Sequence, residues 1–85
     1  MDILILHRNR FQPVNGATAT KLSGNAWTLK LPIASMKRFI KGTPRAEALD
    51  GVVFVVEDLE TEPAVGTGED QTHLYASVYA FPGTR

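Results

Sequence analysis

The sequence predicts an α+β fold: an antiparallel sheet of four or five strands, in the order βββα(α)ββ, with one or two short helices on one face. Two alternating segments point to the sheet. Trp27, Leu29 and Leu31 share one side of the first, and Leu74, Ala76, Val78 and Ala80 share one side of the second. The helix follows from Met36, Phe39 and Ile40, which recur at helical spacing with Lys37, Arg38 and Lys41 on the opposite side. At 85 residues the chain is expected to be one domain, 1–85, with one thin core.

The elements follow in order. Asp2–Arg8 opens with an unbroken apolar run, Ile3–Leu6, which predicts a strand buried on both faces or starting at the sheet centre. Pro13 has no N–H for a ladder and belongs at the end of that strand or on an edge. Asn15-Gly16 is a type I′ turn signal leading into Ala17–Leu22, and Ser23-Gly24-Asn25 marks a second turn. The first third therefore reads as a three-stranded meander. Pro32 ends the third strand; Ser35 is the expected N-cap of the helix and Gly42 its C-terminal glycine. A second short helical turn has Thr43 as its cap, Pro44 at its first position and Gly51 beyond its end.

Val52–Val56 is β-branched apart from Phe54, as in a central strand, so Trp27, Phe54 and Val55 are expected in the core. Glu57–Asp70 holds six acids with Pro63, Gly66 and Gly68, which reads as a long mobile hairpin loop. Thr72–Phe81 closes the sheet, with Pro82-Gly83 ending the strand. Its second side carries His73, Tyr75, Ser77, Tyr79 and Phe81. Tyr75, Tyr79 and Phe81 are expected to pack beneath the helix; the alternative is a platform that stacks single-stranded bases.

The net charge of zero conceals a segregation. Residues 1–45 hold eight of the nine Lys and Arg and one acid, a balance of +7; residues 46–85 reverse it to −7. That asymmetry favours a charged partner or self-association through opposite faces, unless the fold interleaves the two halves. Cysteine is absent, which excludes disulfides, thiolate metal sites and a cysteine nucleophile. No run approaches the length of a membrane span, no signal peptide is evident, and a cytoplasmic protein is expected.

Little in the sequence suggests catalysis. His7 and His73 stand far apart without ligand spacing, and no phosphate-binding glycine loop or nucleophile motif occurs. The chain is expected to be no enzyme and to use no cofactor or metal. The expected function is binding of a macromolecular partner, a protein or nucleoprotein, as an inhibitor or adaptor, and the short chain would suit an accessory protein of a phage or mobile element. The contact residues are expected to be Lys37, Arg38, Lys41 and Arg45 on the helix side, joined by Arg8 and Arg10 if they converge, and Glu57, Asp58 and Glu60 at the base of the acidic loop. The alternative is a nucleic-acid-binding regulator that uses the basic helix Ser35–Lys41 to neutralise phosphates.

Overall fold

Alternation of apolar and polar residues governs most of the chain. In the computed structural model, which describes residues 2–81, it builds eight antiparallel strands in two sheets rather than one sheet of four or five. The strands are β1 (Leu4–His7), β2 (Arg10–Pro13), β3 (Thr18–Ser23), β4 (Ala26–Pro32), β5 (Phe54–Val56), β6 (Leu59–Glu60), β7 (Gly66–Glu69) and β8 (His73–Tyr79). Sheet A has the order β2-β1-β5-β6, and sheet B the order β3-β4-β8-β7. The structure is thus mostly β, with two short helical turns: α1 (Ile33–Met36) and a 3₁₀ turn at Ala46–Leu49.

The two sheets face each other across one core. Sheet A contributes Ile3, Ile5, Phe54 and Val56, and sheet B contributes Trp27, Leu29, Leu31, Leu74, Ala76 and Val78. Phe54 is fully buried, as expected, while Val55 points to the other side of its strand and is half-buried. The expected three-stranded meander does not form. The chain turns at Arg8-Asn9, where both residues adopt positive φ (54° and 64°), and β2 returns along β1. Asn15-Gly16 is indeed a turn, but it carries the chain from sheet A to sheet B, so β2 and β3 are not a hairpin. Pro13 ends β2 on the edge of sheet A, where its missing N–H costs nothing.

The expected loop at 57–70 is folded as well. Glu57-Asp58 form a tight turn at positive φ (50° and 64°) between β5 and β6. The chain then crosses between the sheets at Thr61, which bonds Phe54 on one side and bridges Ala80 on the other. Ala64 is buried, and β7 pairs along β8 from Gly66 to Glu69. The low β-propensity of Gly-Thr-Gly-Glu is overridden by this pairing.

α1 is a single turn. Pro32 stands at its N-cap, and Ser35, expected there, sits inside it and donates its hydroxyl to the Asn15 carbonyl at 2.6 Å. Residues 37–39 continue as a turn, so the basic helix Ser35–Lys41 does not form. The core-facing residues are those the spacing indicated: Met36 is buried, and Phe39 and Ile40 pack against the core. The Pro82-Gly83 stop lies outside the described residues. No helix among the described residues is long and apolar enough to cross a membrane.

Candidate functional site

The hairpin turn Arg8-Asn9 and the turn that follows α1 come together through aromatic contacts. His7, at the end of β1, sets its ring edge-on to Phe39 at 5.4 Å between centroids. The Arg38 guanidinium lies 5.5 Å from the centre of the same Phe39 ring, within cation–π range. Phe39 is itself held by its packing on the core and by its N–H to the Met36 carbonyl at 2.9 Å. One anchored ring therefore fixes both segments.

Between them open two adjoining clefts. The first, about 330 Å³, is lined by His7, Arg8, Arg10, Gln12 and Arg38. The second, about 450 Å³, is lined by His7, Arg8, Lys37, Arg38, Phe39, Ile40 and Lys41. Five cations thus surround one concave surface, with no carboxylate among the described residues of either lining. The Gln12 side-chain amide donates to the His7 carbonyl at 3.3 Å, which ties β2 across to β1 beneath the site. Such a site can gather carboxylates or phosphates, and arginine forks can grip either in a bidentate manner.

The structure brings Lys37, Arg38 and Lys41 together with Arg8 and Arg10, but it does not bring Arg45. Arg45 lines neither cleft; its Nε donates to both Glu69 carboxylate oxygens at 2.9 and 3.2 Å, the only salt bridge between described residues. Glu69 also accepts the Ala46 N–H at 2.7 Å, and that backbone bond, ahead of the Arg45 guanidinium, holds its carboxyl below the ordinary value. Glu57, Asp58 and Glu60 stand elsewhere again. Because β5 runs antiparallel to β1, the Glu57-Asp58 turn lies beside the start of β1, about 20 Å from the Arg8 turn at ~3.3 Å per residue. Glu57 borders a third cleft of about 260 Å³, with Trp27, Ile3 and Val56 among its walls.

His7 and Gln12 are site residues that sequence reasoning missed. The available signal was His7-Arg8-Asn9-Arg10 itself: an asparagine that tolerates positive φ, between two segments able to pair, marks a hairpin tip.

The outer side of β8 also differs from expectation. Leu74, Ala76, Val78 and Ala80 face the core, and the aromatic side turns outward. Tyr79 and Phe81 are exposed and stack with their centroids 6.2 Å apart. Tyr75 donates its hydroxyl to Asp70 at 2.6 Å, and Asp70 also accepts the Thr72 and His73 N–H groups, each at 2.8 Å. The Tyr75 bond first, then the backbone bonds, hold the Asp70 carboxyl far below its usual range; the same bond raises the Tyr75 phenol. His7 and His73 belong to different sheets, and no group of three possible metal ligands occurs among the described residues.

Compared with protein-family models, with curated proteins and with solved structures, the chain matches none.

Proposed function

We propose that the protein works by binding rather than by catalysis, taking an acidic face of a macromolecular partner into the cationic cleft as an inhibitor or adaptor would. The observation behind this reading is the convergence of Arg8, Arg10, Lys37, Arg38 and Lys41 from two separate segments onto one concave surface. A single exposed ion pair contributes only about 0–1 kcal/mol, but several cations of one sign in a cleft focus the field and steer encounter. The clamp on Phe39 sets the two walls before binding, which reduces the entropy lost on association.

The test is a titration of polyglutamate against the wild type and the double variant Lys37→Glu/Arg38→Glu, followed by isothermal titration calorimetry. The variant should keep its circular dichroism spectrum and lose binding, and wild-type affinity should fall steeply with salt. Unchanged binding by the folded variant overturns the reading.

A second reading, single-stranded nucleic acid, draws on the outward row of Tyr75, Tyr79 and Phe81 with Lys30 directly opposite Tyr75. Here bases would stack on sheet B, so Tyr79→Ala should weaken oligothymidine binding by about 1–3 kcal/mol, whereas the cleft variant would not abolish it.

A further inference from the structure

The side of sheet A that faces away from the core is apolar and partly exposed. Ile3 and Ile5 point inward, so Leu4 and Leu6 point out. Strand register extends this into two rows. Leu4 stands between Pro13 and Val55, and Leu6 stands between Phe11 and Val53, whose carbonyl accepts the Leu6 N–H at 2.9 Å. Leu6 and Phe11 are 38% and 37% exposed, Pro13 is exposed, and Leu4, Val53 and Val55 are half-buried. The two helical turns pack against sheet B strands, β4, β7 and β8. Six apolar side chains on adjacent strands make a contiguous surface of the kind that marks an interface.

The charges at the two ends of this face say what fits it. One end is the Arg8-Asn9 turn, where Arg8 carries the charge; the other carries Asp2 beside the Glu57-Asp58 turn. All four of these charged residues are exposed. Both turns hold non-glycine residues at positive φ, a conformation that Asn-Gly would adopt at lower cost.

We infer that sheet A is the interface of a two-fold dimer of this chain. The two-fold axis lies midway between the two facing sheets, parallel to them and perpendicular to the strands at the level between Leu4 and Leu6. A second copy turned by 180° about it places its acidic end over the first copy's basic end and its basic end over the acidic one. Both pairings form at once, as an isologous interface requires. Two stacked outer faces at the usual spacing of about 10 Å let the leucine, valine and phenylalanine rows interdigitate. A foreign partner would need the same bipolar pattern; a second copy has it by symmetry. The cationic cleft opens on the inward side of β1 and β2, with His7, Arg10 and Gln12; of its cations only Arg8, at the turn, also borders the outer face.

The experiment is sedimentation velocity over a concentration series, with circular dichroism on each variant. The wild type should dimerise; Leu6→Asp and Phe11→Asp, on neighbouring strands, should each give a folded monomer; Lys37→Glu/Arg38→Glu should remain dimeric. Charge reversal tests the arrangement. Arg8→Glu and Glu57→Lys/Asp58→Lys should each weaken self-association by about tenfold or more, and mixing the two should restore a heterodimer. A wild type that is monomeric at about 100 μM, where any tighter dimer would be populated, overturns the inference. So does a dimer that survives Leu6→Asp and Phe11→Asp, or one indifferent to both charge reversals.

Discussion

Thr61 is the buried polar residue among the described core positions, and its placement has a specific cost if disturbed. Its hydroxyl accepts the Phe54 N–H at 3.0 Å, and its own N–H donates to the Phe54 carbonyl at 2.7 Å. Thr61→Val keeps the shape but strands a buried donor, so it should lose about 1–3 kcal/mol in urea unfolding. Asp70 gives a pH signature instead. Its native carboxyl lies below the ordinary value, so its bonds stabilise the fold fully above the unfolded pKa of about 4 and are lost as pH falls toward the native value. Asp70→Asn should therefore flatten part of the acid limb of stability, and Tyr75→Phe should do so to a lesser degree. At the alkaline end the sign reverses. The raised Tyr75 phenol contributes below its unfolded pKa of about 10 and is lost as pH rises through the native value.

At the scale of elements, the charged hairpin tips are the departure from economical turn chemistry. Replacing Glu57-Asp58 with Asn-Gly should relieve left-handed strain at both positions and raise stability by about 1–2 kcal/mol on thermal or urea unfolding. Elements with strict alternation were legible in the sequence, since β4 and β8 bury the faces that period two assigns them. β1 misled because an unbroken apolar run does not say whether its second face is covered by the same chain. Met36, Phe39 and Ile40 met the core as their spacing indicated, yet a helical turn and the irregular turn after it present residues similarly, so the length of α1 was not legible. The segment 57–70 hid its structure because Thr61 and Ala64 are isolated anchors in a polar stretch. In the site, Lys37, Arg38 and Lys41 could be read from one local pattern. Their meeting with Arg8 and Arg10, and the diversion of Arg45 to Glu69, depend on tertiary register.

For the whole molecule, the shared core predicts that neither sheet melts alone. Phe54 belongs to sheet A and Trp27 to sheet B, and both lie in one cluster. Phe54→Ala should cost about 3–5 kcal/mol, and the Trp27 fluorescence transition should shift with the far-ultraviolet signal. Two separated transitions would mean that the sheets are independent units. The open edges have a further consequence, for the protein's fate in concentrated solution. β6 is two residues long, β2 ends in proline, and β7 alternates glycine with Thr67 and Glu69. The long edge, β3, carries exposed Lys21 and a register shift between Lys21 and Ser23, devices that deny a docking strand a flat, neutral template. On that edge Lys21 is the one charge set against an added strand. Lys21→Val, which also removes the ammonium 5.8 Å from the centre of the Trp27 ring, should shorten the lag before thioflavin-positive fibrils form under agitation.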